Sequence, residues 1–297
     1  MKPAVLPLPG NEALGARLAL ELDAERVEAT IRRFPDGESY VRLESSVAGR
    51  AVVLAGALDR PDDKLMPLFL AAATARELGA RSVGLVAPYL PYLRQDRRFL
   101  AGEAVSARMF AEQLSTRLDW IVTVDPHLHR IHRLEEVYRI PAESITAMPR
   151  LAHWVREHVV DPLLIGPDEE SRQWVEAVGH LAGAPFAVLR KSRRGDAEVS
   201  VELPDLSPHR GRTPVLVDDI VSTGATLIEA AGALRRAAHE PPHCVAVHGV
   251  LAGGAYPRLL AAGIRRLVTC NTIVHPTNEI DVHDLLAAGA ARQLRTD

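Results

Sequence analysis

"VLVDDIVSTGATL", residues 215–227, is the stretch on which the reading of this chain turns. Five of its first seven residues are Val, Leu or Ile, as in a buried strand, and Asp218-Asp219 interrupts them. Ser222-Thr223-Gly224-Ala225-Thr226 follows, small and hydroxyl-bearing, and leads into an amphipathic run. In an open α/β sheet, ligands collect at the carboxyl ends of the strands. The N–H groups and dipole of a helix that starts there attract phosphate. Gly224 omits a side chain where a phosphate needs close backbone approach. The two acids can accept hydrogen bonds from sugar 2- and 3-hydroxyls or hold Mg²⁺. The stretch therefore suits a sugar phosphate. The plainer alternative is a Ser/Thr cap on an ordinary helix, with two solvated acids before it.

Working outward, short apolar runs alternate with helical periodicity twice over. In the first half, strand-like segments at 51–56, 82–88 and 120–125 alternate with helical patterns over 62–80 and 104–118. In the second, the strand-like runs 162–168, 186–192, 215–219, 244–251 and 265–273 alternate with helices near 169–182, 223–238 and 281–292. Continuous rather than alternating apolar strands imply burial on both faces, and so parallel sheets covered by helices. Two α/β units joined near 143–160 are expected. No low-complexity segment or short-period repeat interrupts the scheme.

Composition narrows the function classes. With 35 Lys+Arg against 38 Asp+Glu the net charge is −3, too balanced for a general nucleic-acid binder, so anion sites must come from local clusters. Cys244 and Cys270 fit no metal spacing and sit in apolar runs, which reads as buried free thiols. No apolar run reaches the roughly 18 residues of a membrane span, and "MKPAVLPLPGNEALG" lacks the plan of a signal peptide. A cytoplasmic protein without nucleic-acid or membrane role is expected.

Four further stretches carry chemistry. In "RRFPDGESYVRL" (32–43), Phe34 followed by Asp36 and Glu38 around Gly37 could stack on and hydrogen-bond a purine; the alternative is a plain Asp-Gly turn. "PYLPYLRQDRRF" (88–99) concentrates Arg94, Arg97 and Arg98 around Gln95 and Asp96, and guanidinium groups bind phosphate bidentately; a solvated basic loop is the alternative. "TVDPHLHR" (123–130) ends a strand with Asp125, His127 and His129, where a histidine is as readily structural as a ligand. "LRKSRRGDAEV" (189–199) packs Arg190, Lys191, Arg193 and Arg194 between two strand-like runs, able to close over a triphosphate or simply to be a solvated hairpin tip.

Together these segments resemble, in order and over about residues 8 to 290, the phosphoribosyl-diphosphate (PRPP) synthase family. The 215–227 stretch is similar to the PRPP motif that this family shares with type I phosphoribosyltransferases. The resemblance implies an α/β fold of two tandem type I phosphoribosyltransferase-like domains, 1–146 and 147–297, each a mostly parallel sheet flanked by helices. It implies transfer of the diphosphoryl group of ATP to the 1-hydroxyl of ribose 5-phosphate, with Mg²⁺. It assigns ATP to Phe34, Asp36, Glu38, Arg94, Gln95 and Asp96, and ribose 5-phosphate to Asp218, Asp219, Ser222, Thr223, Gly224, Ala225 and Thr226. Metal falls to His127 and Asp168, and catalysis to Lys191 and Arg193. It further implies a homo-oligomer, dimer or higher, with ATP sites shared across an interface.

Two departures stand out. "IGPDEESRQW" (165–174) keeps Asp168 but has Glu170-Ser171 where the family has Gly-Gly, and Trp174 where it has an arginine. The added charge beside a diphosphate site needs an offset from Mg²⁺ or Arg172. "STGAT" resembles transferases and archaeal- or plant-type synthases, as Val199 does, more than the commonest bacterial motif. Two rival readings stay open: a phosphoribosyltransferase acting on a base, which leaves "RQDRR" and "FPDGE" without a role, and a non-catalytic, synthase-like regulatory subunit.

Overall fold

The computed structural model describes residues 1–194 and 198–296, with side chains outside 191–201. The chain divides into two compact units, one of Met1–Ile145 with Val282–Asp297 and one of Thr146–Asp281.

The first unit runs β1 (Ala4–Pro7), α1 (Glu12–Glu21), β2 (Glu25–Arg26), β3 (Ala29–Arg33), β4 (Ser39–Leu43), β5 (Ala51–Ala55), α2 (Pro61–Glu77), β6 (Ser82–Ala87), α3 (Ser106–Ser115), β7 (Trp120–Val124) and β8 (Ala142–Ile145). Six of its strands form one sheet in the order β2-β1-β5-β6-β7-β8, all parallel. Every residue of β5, β6 and β7 is buried, as their predominantly apolar composition requires of strands covered on both faces. The other two strands make a separate antiparallel hairpin, β3–β4, with Ile31 opposite Val41 and Arg33 opposite Ser39.

The second unit repeats the plan with α4 (Met148–His158), β9 (Pro162–Gly166), α5 (Arg172–Ala182), β10 (Phe186–Val188), β11 (Arg190–Arg194), β12 (Glu198–Glu202), β13 (Thr213–Val221), α6 (Ala225–Arg236), β14 (His243–Gly249), α7 (Ala255–Ala261), β15 (Arg266–Cys270) and β16 (Asn278–Ile280). Its sheet order, β10-β9-β13-β14-β15-β16, is the first unit's order strand for strand, and it too is parallel. In both units an antiparallel hairpin is inserted before the third sheet strand of the order, β3–β4 in one and β11–β12 in the other.

Three expectations need correction. The division at 146/147 placed all later residues in the second unit, whereas the last helix, α8 (His283–Thr296), belongs to the first and packs on α1, β7 and β8. The reason lies in its small face: a Cβ at Gly289 would stand 2.6 Å from Ile145 Cδ1 and 2.8 Å from Val122 Cγ1, so only glycine lets the helix approach the strands. The run 186–192 is two strands, since Arg190 begins a hairpin that leaves the sheet. The strand expected to stop at Asp219 continues to Val221, which puts both acids within β13.

Candidate functional site

In the second unit the site begins in β13. Asp218 is half-buried and Asp219 is 1 % exposed, so the alternative of two solvated acids does not hold. The Asp219 N–H donates to Asp218 Oδ1 at 3.0 Å. Burial raises the Asp218 carboxyl well above its ordinary value, and the negative charges of Asp219 and Asp168 raise it further. The site thus gathers three carboxylates, Asp168, Asp218 and Asp219, around the end of β13.

The residue that caps α6 is Gly224, in the left-handed region at φ +75°, with no side-chain capping bond. Ser222 and Thr223 are therefore not spent on the cap, which removes the plainer reading of the loop. Ile228 is the first residue whose N–H reaches back into the helix, to the Gly224 carbonyl at 2.9 Å. The N–H groups of Ala225, Thr226 and Leu227 precede it, in the turn that α-helices leave open to an anion. The loop is held from behind: Ala252 N–H donates to the Ser222 carbonyl at 3.1 Å, and Arg258 Nη2 donates to the Thr223 carbonyl at 3.1 Å. Leu259 packs so closely that a Cβ on Gly224 would meet it at 3.0 Å.

Asp168 follows the end of β9, the strand paired with β13. It starts a 3-10 turn, Glu169–Ser171, and its Oδ1 accepts from the Ser171 N–H at 3.3 Å while Ser171 Oγ donates to the Asp168 carbonyl at 2.6 Å. The serine that departs from the family's Gly-Gly thus orients the aspartate. Arg172 bonds Glu169 at 3.0–3.2 Å through Nε and Nη2, and Arg190 Nε reaches the same carboxylate at 3.3 Å. Arg172 is accordingly an offset for Glu169. Trp174 is 7 % exposed and is a core residue of α5.

In the first unit, Phe34, Asp36 and Glu38 occupy the exposed tip of the β3–β4 hairpin. Asp36 Oδ1 accepts from the Glu38 N–H at 3.1 Å, and Phe34 and Glu38 close the turn with a backbone bond of 2.8 Å. The Arg32 guanidinium lies 4.6 Å from the Phe34 ring centroid and 4.5 Å from that of Tyr40, so the phenyl ring is fixed from one side. Arg94 is exposed and Gln95 half-buried in the loop after β6. Asp96 is buried and engaged: it accepts from the Arg130 N–H at 3.2 Å and from Arg130 Nη1 at 3.1 Å. That pair ties the 88–99 loop to the 123–130 loop, where His127 stands half-buried with the His129 ring 4.3 Å away, edge to face. Tyr92 braces the first of these loops: its hydroxyl donates to Asp62 in the first turn of α2, and that bond is the main cause of its rise to about 12.

Lys191 and Arg193 belong to β11 by backbone, and their side chains lie outside the described residues. Sequence reasoning passed over two residues that shape the site. Arg130 ends the "TVDPHLHR" stretch, and its partner Asp96, an acid set among arginines in the 88–99 stretch, is the available signal. Arg258 sits 35 residues from the loop it holds, in a helix with no motif around it.

Comparison with known proteins extends over the whole of this geometry. The model of the N-terminal domain of ribose phosphate pyrophosphokinase matches residues 4–117, and that of the phosphoribosyl transferase domain matches 134–284. The chain is 37 % identical over 280 residues to a ribose-phosphate pyrophosphokinase of Methanopyrus kandleri, covering 94 % of this chain and 95 % of that one. It is 33 % identical to that of Methanothermobacter thermautotrophicus, covering 95 % and 98 %. The crystal structure of phosphoribosylpyrophosphate synthetase from Mycobacterium smegmatis superposes with a TM-score of 0.86 at 27 % identity, covering 99 % of both chains. Two sheets of one topology and similarity along the full length give one answer: the chain belongs to the ribose-phosphate pyrophosphokinase family.

Proposed function

We propose that this chain is a ribose-phosphate diphosphokinase, which moves the β,γ-diphosphoryl group of ATP onto the 1-hydroxyl of ribose 5-phosphate and releases AMP and PRPP. The observation that carries the reading is that the likeness runs through both units. A transferase acting on a base needs the loop of the second unit but has no use for the hairpin tip and arginine-rich loop of the first.

Asp218 and Asp219 accept hydrogen bonds from the ribose 2- and 3-hydroxyls. The open turn of Ser222 to Thr226 takes the 5-phosphate on backbone N–H groups, with Gly224 permitting the approach. The sugar's O1 then attacks the β-phosphorus of ATP in line. The new O1–Pβ bond forms as the bond from Pβ to the oxygen bridging the α-phosphate breaks; AMP leaves with that oxygen, and the hydroxyl proton passes to solvent. No covalent intermediate on the protein is required, and positioning with charge stabilisation supplies the rate. Lys191 and Arg193 offset charge developing on the transferred and leaving groups. Phe34, Asp36, Glu38, Arg94 and Gln95 receive ATP, while Asp96 acts through Arg130.

Mg²⁺ fits the residues present. Hard oxygen ligands suit it, and the charge that raises the Asp218 carboxyl is the kind a divalent ion relieves. Asp168 and His127 are the residues assigned to it; when bound, it neutralises phosphate oxygens. Among the described residues no helix is long and apolar enough to cross a membrane. A cytoplasmic homo-oligomer completes the proposal.

The test is AMP release from ATP, Mg²⁺ and ribose 5-phosphate, run beside Lys191→Ala. AMP formed only with the sugar phosphate, and at least about a hundredfold slower in the variant, supports the reading. Folded protein that forms no AMP but consumes PRPP when a base is added sinks it in favour of the transferase; folded protein that does neither leaves the regulatory subunit.

A further inference from the structure

Pro67 lies inside α2. Having no N–H, it leaves the carbonyl four residues earlier, that of Asp63, without an intrahelical donor. A residue from the inserted hairpin takes the vacant place. Arg33 Nη2 donates to the Asp63 carbonyl at 3.0 Å and to Asp63 Oδ1 at 2.9 Å.

Arg33 is the last residue of β3 and directly precedes Phe34 in the turn. Side chains along a strand alternate between faces, so Arg33 shares a face with Ile31, and Ile31 with its partner Val41 packs on the core of the unit. Arg32, on the opposite face with Tyr40 across from it, holds the Phe34 ring. One side of the hairpin is thus pinned to α2, and the other presents the aromatic ring. The neighbouring acid, Asp62, takes the Tyr92 hydroxyl, so adjacent carboxylates in the first turn of α2 hold both the hairpin and the loop bearing Arg94 and Gln95.

We infer that Arg33 is a positioning residue for the nucleotide: it fills the hydrogen bond that Pro67 leaves open on the Asp63 carbonyl and so fixes the tip carrying Phe34, Asp36 and Glu38 against α2. What the tip binds rests on the diphosphokinase reading; the pin itself does not.

The experiment compares Arg33→Met, Arg33→Lys, Pro67→Ala and the Arg33→Met/Pro67→Ala double variant in the full chain. It reads amide hydrogen exchange across residues 29–43 together with KM for ATP and for ribose 5-phosphate. Arg33→Met is expected to speed exchange in the hairpin and raise KM for ATP, each about two- to fivefold, as the loss of a solvent-screened pair implies. KM for ribose 5-phosphate and kcat stay where they were, and Arg33→Lys, with a donor but no fork, recovers part of the loss. Pro67→Ala gives the Asp63 carbonyl a donor of its own, so the same Arg33 change costs less in that background. Unchanged exchange and unchanged ATP affinity in Arg33→Met overturn the inference, and strictly additive effects of the two changes overturn the link to Pro67. Faster hairpin exchange in a protein whose wild type makes no AMP upholds the pin and sinks the diphosphokinase reading instead.

Discussion

Asp218→Asn is predicted to make the ligand-free protein more stable while abolishing its use of ribose 5-phosphate. The change is isosteric, and the amide oxygen can still accept from the Asp219 N–H that now bonds Asp218 Oδ1. What it removes is a negative charge that burial, Asp219 and Asp168 all disfavour. Removing it relieves that repulsion, and relaxation with counterions takes up most of the gain. A net gain of about 1 kcal/mol, raising Tm by about 2–4 °C for a unit of this size, is the expected remainder. The pH dependence has a defined sign. A carboxyl whose folded pKa lies above its ordinary 3.8 contributes stability below that value and loses it as pH rises through the raised one. The Tm gap between variant and wild type is therefore widest at pH 8 and narrows on acidification, because a protonated Asp218 carries the variant's charge. Thermal melts from pH 8 to pH 5 measure this, with and without ribose 5-phosphate. Ligand at a hundred times its Kd adds about 2.7 kcal/mol to the wild type, and the variant loses that increment. A ligand-free variant that melts below the wild type at pH 8 refutes the account, since the ionised carboxylate is then a net stabiliser.

Two more outcomes follow from the same geometry. Gly224→Ala places a Cβ at φ +75° and 3.0 Å from Leu259; a loss of about 1–2 kcal/mol is expected, with KM for ribose 5-phosphate raised and KM for ATP unchanged in initial-rate kinetics. Asp96→Asn weakens the buried end of the pair with Arg130, whose side chain is 44 % exposed and so partly screened; a loss of about 1–2 kcal/mol is expected to raise KM for ATP about tenfold, and an Arg130→Met double-mutant cycle that shows no coupling counts against the tie between the two loops.

Much of the site was legible because it is local. In 215–227 the strand, the acids, the glycine and the helix start are contiguous, so one stretch of chain specifies both the proposed binding groups and the backbone that carries them. The alternation of buried strands and helices likewise announced two parallel sheets, since a strand covered on both faces has no polar positions to hide. What stayed illegible depends on pairings between distant segments. Nothing in "FPDGE" says that its flanks form a hairpin outside the sheet, because short strands of mixed polarity carry little periodic signal.

By itself, then, the sequence determined the two-unit α/β class, the strand–loop–helix of 215–227 and the order of the charged segments, each a property of consecutive residues. Only the tertiary structure decided the rest. It returned α8 to the first unit, where Gly289 lets it close on Val122 and Ile145. It buried Asp219 and gathered Asp168 with Asp218, making a charged cluster of residues some 50 positions apart in the chain. It gave Asp96 to Arg130, Thr223 to Arg258 and the Asp63 carbonyl to Arg33. Each of these is a choice among many chemically equivalent partners, made by which strands lie side by side, and composition or spacing along a chain carries no record of it.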